Sequence, residues 1–125
     1  MQRPTTIRLR TSLYEEATEI VDREYGSDLS LDDIARRVAS SRRQLQRAYA
    51  EIGRTTFRDH LTAVRMAKAA ELLAASGMTV RVVARRVGYR QPAQFAKAFR
   101  RAHGVAPSDY RASDGPRPGG LMRAA

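Results

Sequence analysis

The 125 residues carry 23 Lys and Arg against 13 Asp and Glu, a formal net charge of +10, with 42% hydrophobic but only 6% aromatic residues and no Cys or Trp. Such a chain has room for one modest core or two small subdomains built mostly from Ala, Leu, Val and Ile, and the lack of Cys excludes a disulfide frame, a thiolate metal site and a cysteine nucleophile. The positive excess points to a polyanionic partner, nucleic acid or an acidic membrane surface. No apolar run approaches the ~20 residues of a membrane span and the opening MQRPTTIRLR has no signal-peptide core, so a cytoplasmic protein without a membrane partner is expected.

In chain order, residues 1–11 read as an N-terminal arm of extended character. Ser12 with Glu15 three residues on forms a capping-box pattern. It predicts a first helix to about Tyr25, stopped by Gly26, with Leu13, Ala17, Ile20 and Val21 on its apolar face. A short helix follows Ser30, again with an acid three residues later at Asp33, and presents Leu31, Ile34, Ala35 and Val38. After a turn at Ala39 and Ser40, a third helix starts near Ser41 and buries Leu45, Ala48, Tyr49 and Ile52 at helical spacing before Gly53 ends it. Thr56 with Asp59 caps a longer helix, Phe57 to Ala75, closed by Ser76 and Gly77. Nearly 20 residues make a rod of roughly 30 Å. A short helix from about Val80 to Val87 leads to a turn at Gly88 and Tyr89, and Pro92 opens the next helix, where its missing N–H is harmless. That helix places Phe95, Ala98, Phe99 and Ala102 inside, a last one begins near Pro107 and holds Tyr110, and SDGPRPGGLMRAA, residues 113–125, reads as a flexible tail. The expected class is all-α, with about seven helices.

Charge is segregated along this chain. Eight acids lie between Glu15 and Asp33, where Arg23 is the only base; from Arg36 to Arg58 there are seven Arg against Glu51, and from Arg81 to Arg101 seven Arg or Lys and no acid. The two basic stretches coincide with an internal repeat. Ala35-Arg36-Arg37-Val38 recurs as Ala84-Arg85-Arg86-Val87, and Leu45, Ala48, Tyr49, Ile52 recurs in register as Phe95, Ala98, Phe99, Ala102. Each copy is a short helix, a tight turn and a second helix within a basic stretch, the layout of a helix-turn-helix whose second helix enters the major groove. Paired short helices also build solenoids and bundles, but two copies are too few for a solenoid and a bundle does not need an arginine-rich outer face. The expected organisation is an arm (1–11), a first helix-turn-helix subdomain (12–54), a linker helix (55–76), a second subdomain (77–112) and a tail (113–125).

The stretch GYRQPAQFAKAFRRAHGVAPSDYR, from Gly88 to Arg111, resembles the signature of the AraC/XylS-type transcription regulators through Gly88, Tyr89, Phe95, Phe99, Arg100, Arg101, Gly104, Pro107, Tyr110 and Arg111. Arg65, Met66, Ala69, Leu72 and Leu73 similarly resemble the family's linker helix. The likeness covers about two thirds of the chain and, with the first helix, is similar to the single-domain MarA/SoxS type, since no room is left for the ligand-binding or dimerisation domain that most members add. The resemblance implies double-stranded DNA as partner, an activator that also meets RNA polymerase, and base contacts at Arg43, Gln46 and Arg47.

Those three side chains project together from the third helix at i, i+3, i+4, and Arg and Gln are the residue types that pair with guanine and adenine edges. The corresponding face of the second unit holds Gln91, Ala93, Gln94 and Lys97; Ala93 departs from the longer polar residues that family members place there, although its methyl suits a thymine methyl. Ser41, Arg42, Arg90, Arg100 and Arg101 are expected on phosphates, which fix register without reading sequence. Two readers on one chain, joined by a rod close to the ~34 Å between successive major-groove faces, predict a monomer on an asymmetric site. His60 and His103 lie in different helices without a second ligand at metal spacing, so structural roles, no metal and no cofactor are expected. Neither a phosphate-binding Gly-rich loop nor a G-x-S-x-G elbow occurs, and an enzyme is not expected. The alkyl-transfer enzymes that carry a similar region use cysteines this chain lacks. Rival readings are a module that docks RNA polymerase through the acidic first helix (Glu15, Glu16, Glu19, Asp22) and a non-specific nucleoid-binding protein.

Overall fold

A computed structural model describes residues 4–112 of the chain, so the tail expected at 113–125 lies outside the described residues. All elements among them are helical: α1 (Pro4–Glu24), α2 (Leu31–Arg37), α3 (Arg42–Ala48) continued by one π-helical turn (Tyr49–Gly53), α4 (Phe57–Ala75), α5 (Val80–Arg86), α6 (Pro92–His103) and α7 (Pro107–Ala112). The chain forms two compact units that divide between Leu61 and Thr62, inside α4.

In the first unit α1 packs against α2, α3 and the π-turn. Ala17, Ile20 and Val21 from α1 are buried with Ile34, Ala35, Val38, Leu45, Ala48 and Tyr49, the apolar stripes expected from spacing. The start of α1 differs from expectation. The helix begins at Pro4, so residues 4–11 are not an extended arm, and Ser12 lies within the helix rather than at its cap. Thr5, Thr6 and Ile7 are weak helix formers, but contacts distant in sequence hold these turns. Arg10 Nη1 donates to Glu51 Oε1 at 2.5 Å, and one turn further on the Tyr14 ring meets Tyr49 edge-on at 5.3 Å between centroids.

Ser30 and Ser41 cap α2 and α3, their hydroxyl oxygens accepting from the Asp33 and Gln44 amides at 3.0 and 3.1 Å. Between the two helices, Ala39 N–H donates to Arg36 O and Ser40 N–H to Ala35 O, with Ala39 in the left-handed region at φ 55°. These paired bonds close α2 as a Schellman motif. The π-turn has no counterpart in the expected elements, and its stop is not Gly53: the left-handed residue is Arg54, at φ 55°. Gly53 is small for another reason. A Cβ there would lie 2.7 Å from Tyr14 Cζ and nearer still to Cε1.

The second unit repeats the first in its hydrogen bonds. Thr79 caps α5 by accepting from the Val82 amide, and α5 closes with Gly88 N–H on Arg85 O and Tyr89 N–H on Ala84 O, Gly88 standing at φ 99°. Thr56 caps α4 through the Asp59 amide, as expected. Phe95, Phe99, Val83, Ala84, Val87, Met66, Ala69, Leu73 and Tyr110 form the core. Ala102, expected inside, is exposed. The place beside Phe99 is taken by the Tyr110 ring of α7, 5.3 Å away between centroids.

Two glycines of this fold should respond oppositely to a methyl group. Gly53→Ala should destabilise by about 1–3 kcal/mol, the usual cost of forcing volume into a packed site, because the Tyr14 ring, set edge-on against buried Tyr49, must shift to admit the methyl. Gly77, where an added Cβ would meet nothing within 4 Å and φ is not positive, should become neutral or up to about 1 kcal/mol more stable as Ala. Thermal or urea unfolding measures both, and equal effects would remove the close-approach reading of Gly53.

Candidate nucleic-acid interface

A seven-residue helix that buries Leu45 and Ala48 must turn its remaining face to solvent. Arg43, Gln46 and Arg47 are all exposed on that face of α3, with Ser41 and Arg42 at its start. On α6 the same logic, with Phe95 and Phe99 inside, leaves Ala93, Gln94 and Lys97 exposed, together with Arg100 and Arg101; Arg90 and Gln91 are exposed just before the helix. Every residue expected to face DNA is therefore at the surface, and within each unit the expected set falls on or beside one helix.

The ion pairs separate these cations into occupied and open ones. Arg37 donates to both oxygens of Glu24 at 2.8 and 2.6 Å, which holds the Glu24 carboxyl below the usual range. Arg36 meets Asp33 at 2.5 Å, and Asp33 is held low by this bond and by the Ser30 hydroxyl. Arg42, expected on phosphate, lies 3.2 Å from Asp32, both side chains more than half exposed. Such a pair is worth little in water, and a phosphate can replace the carboxylate. Arg43, Arg47, Arg90, Lys97, Arg100 and Arg101 make no ion pair with a described residue. Glu15, Glu16, Glu19 and Asp22 are all exposed on α1.

Several features that support these faces have no signal in the sequence. Arg10 with Glu51, Tyr14 with Gly53, and the π-turn all join α1 to the end of α3, and a pairing 41 residues apart leaves no periodic trace. Thr79 is legible, because a Thr directly before an apolar helical run is a cap signal. His103 donates its Nε2–H to the Met66 carbonyl at 3.0 Å, tying α6 to the part of α4 in its own unit.

A family model described as a helix-turn-helix domain matches residues 34–113. An uncharacterised HTH-type transcriptional regulator of Mycobacterium tuberculosis is 40% identical over 88 residues, covering 70% of this chain and 25% of its own length, so the chain spans about a quarter of that relative. The C-terminal domain of AraT, a response regulator from Geobacillus stearothermophilus, superposes with a TM-score of 0.76 at 34% identity, covering 81% of this chain and 84% of that one. The DNA-binding domain of AdpA, a global transcriptional factor solved in complex with a target DNA, gives 0.74 at 29% identity over 81% and 90% of the two chains.

The π-turn packs against a histidine at the start of α4. His60 Nδ1 is 3.0 Å from the hydroxyl of buried Tyr49, and with the imidazole neutral and protonated on Nε2 the tyrosyl O–H donates to it. Burial lowers the His60 pKa below 6.5, against a weaker opposing pull from Asp22. A His whose folded pKa is depressed binds its proton more readily unfolded, so its contribution is complete above the unfolded value and is lost as pH falls below about 6.5. His60→Asn should flatten the decline in stability between pH 7.5 and 5.5. Identical slopes for both proteins in unfolding titrations would exclude His60 as the source.

Proposed function

Because the chain belongs to the AraC-type helix-turn-helix family, we propose that it is a transcription regulator that binds double-stranded DNA sequence-specifically, with α3 and α6 as recognition helices in neighbouring major-groove segments. The observation that carries this reading is the twofold occurrence of one construction: a short helix, a left-handed turn, and a second helix with an aromatic or aliphatic inner face and unneutralised cations outside. In this reading Arg43, Gln46 and Arg47 contact base edges from the first unit, and Gln91, Ala93, Gln94 and Lys97 do so from the second. Ser41, Arg42, Arg90, Arg100 and Arg101 hold phosphates. The Ser41 hydroxyl oxygen accepts from Gln44 N–H, which leaves its O–H to donate to a phosphate oxygen.

The two readers are unequal, which supports an asymmetric site bound by a monomer. Within the helices themselves only the first offers three long polar groups; α6 sets Gln94 and Lys97 beside Ala93, and Gln91 stands before its first residue, Pro92. The exposed acids on α1 are opposite in sign to both recognition faces and support a second contact with a protein, RNA polymerase, through which the regulator acts as an activator. A protein working in this way belongs in the cytoplasm, at the nucleoid. Selection of bound sites from randomised DNA at ~150 mM salt tests the whole reading. A defined asymmetric motif of roughly two helical turns is expected; no enrichment would leave a non-specific binder, and a palindrome with a dimer in sedimentation would overturn the monomer.

The inequality of the readers gives its own outcome. A bidentate base contact discriminates by about 1–3 kcal/mol, so Arg47→Ala should relax preference at one or two base pairs by that order, whereas Lys97→Ala should lower affinity with a smaller change in preference. Selection repeated with each variant decides it, and the opposite pattern would make α6 the principal reader.

Arg100 and Arg101 should behave as phosphate ligands. Replacing both by Ala should weaken binding to all sequences alike and flatten the slope of log affinity against log salt by about one for each phosphate left unneutralised. An unchanged slope in salt-dependent binding isotherms would remove them from the phosphate set.

A further inference from the structure

The two units close their turns with the same hydrogen bonds but secure their second helices differently. In the first, Ser41 caps α3 directly, and Ser40 Oγ lies 3.0 Å from Gln44 Oε1, so the helix start is tied by its own neighbours. In the second, α6 starts at Gln91 and Pro92 with no side-chain cap. Something else must fix where that helix begins.

The residue in place to do so is Arg65, in the part of α4 that belongs to the second unit. Its guanidinium occupies the space a side chain on Gly88 would need: a Cβ there would lie 2.7 Å from Arg65 Cζ and 2.8 Å from Nη2. The same Cζ stands 5.8 Å from the centroid of the Tyr89 ring, within cation–π range. Tyr89 in turn meets buried Phe95 edge-on at 5.7 Å, and Phe95 meets Phe99 at 5.8 Å. A chain of contacts thus runs from α4 through the turn into the inner face of α6.

The repeat shows what is specific to this arrangement. The counterpart of Gly88 is Ala39, which completes the same pair of turn hydrogen bonds at φ 55° with a methyl group in place. The counterpart of Tyr89 is Ser40, with no ring. Gly88 stands at φ 99°, a conformation that strains any side chain, so the turn itself favours glycine there; what is specific to this unit is the aromatic residue that follows and the guanidinium that rests on both.

We propose that Arg65 is a positioning residue for the second recognition helix, seating on Gly88 and Tyr89 and so fixing the turn from which α6 presents Gln91, Ala93, Gln94 and Lys97. The proposal rests on α6 reading DNA. Arg65 touches no base in this account, and its effect on binding passes through the turn. Lysine cannot substitute, because a compact ammonium lacks the planar surface that lies against backbone and ring.

Arg65→Lys and Arg65→Ala separate this role from plain stability. Backbone amide and Tyr89 ring resonances are recorded for each, with melting temperatures, and affinity is measured on the selected DNA and on copies altered in one segment at a time. Arg65→Lys should lower the melting temperature by only a few degrees, shift the Tyr89 ring and the amides from Gly88 to Phe95, and weaken binding about three- to tenfold, the loss expected when the seated turn falls to between a third and a tenth of the free protein. The weakening should fall on the base pairs that respond to Gln94 and Lys97 substitutions and spare those that respond to Arg47. Gly88→Ala, whose methyl displaces the guanidinium, should weaken binding less in the Arg65→Ala background than in the wild type. Unshifted resonances in Arg65→Lys, or a weakening spread evenly over both segments, would overturn the proposal. If the wild type shows no sequence preference, the DNA-reading premise fails, and the resonances alone then decide whether Arg65 holds the turn.

Discussion

A helix of seven residues has few internal hydrogen bonds and does not persist alone in water. α2, α3 and α5 are all of this length, so each depends on how its ends are closed. The starts are closed by Ser30, Ser41 and Thr79, whose hydroxyl oxygens accept otherwise unpaired amides. The ends of α2 and α5 are closed by paired bonds that require a left-handed residue, Ala39 or Gly88. Once that residue is fixed, the chain leaves the first helix in one direction only, and the outward face of the next helix follows from which of its residues are buried. Placement of Arg43, Gln46 and Arg47, and of Gln94 and Lys97, is thus a consequence of turn geometry before it is a matter of DNA.

The units share this turn but anchor it to different cores. The first surrounds Tyr49 with Tyr14, Phe57 and His60, at 5.3, 6.0 and 5.6 Å between centroids. α1 joins this cluster through Tyr14 and braces the π-turn through Arg10. The second stacks Phe95, Phe99 and Tyr110, with His103 against Phe99 at 4.4 Å. Edge-on aromatic contacts add about 0.5–1.5 kcal/mol beyond area burial, and they hold a ring in one orientation, which Ala, Leu and Val cannot do. In a chain with 6% aromatic residues, this concentration behind the two outer faces is where rigidity matters most.

Much of this is legible in the sequence because it is periodic or local. Ile34, Ala35 and Val38 in the first unit, Leu45, Ala48 and Tyr49 after them, Phe95 and Phe99 of α6, the caps at Ser30, Ser41 and Thr56, and Pro92 at the start of α6 all follow from spacing within a few residues. The failures have a common cause, since each depends on a partner in another helix. Residues 4–11 look extended because Thr and Ile dominate them, and Ser12 with Glu15 copies a cap; the helix runs through both because Arg10 and Tyr14 find Glu51 and Gly53 some 40 residues later. Gly53 carries the signal of a helix stop, yet it yields to a tyrosine ring while Arg54 takes the left-handed conformation. Ala102 completes an apolar stripe on paper but cedes its place to Tyr110 from the following helix. For the outer faces, exposure is legible from burial of the opposite side, whereas the pairing of Arg42 with Asp32 is not.

The separation of charge has an energetic logic of its own. Among the described residues the exposed acids of α1 make no ion pair with Arg43 or Arg47, so the first unit forgoes those surface pairs. Such pairs contribute at most about 1 kcal/mol each and are weakened further by salt. The alternative use of an unpaired cation is larger, because neutralising a DNA phosphate also releases a condensed counterion. A carboxylate beside Arg47 would have to be displaced before a base or phosphate could take its place, and would repel the polyanion on approach. Leaving these cations without local partners therefore sacrifices little folded-state stability, and it keeps their hydrogen-bond donors open on the faces that the two turns hold outward.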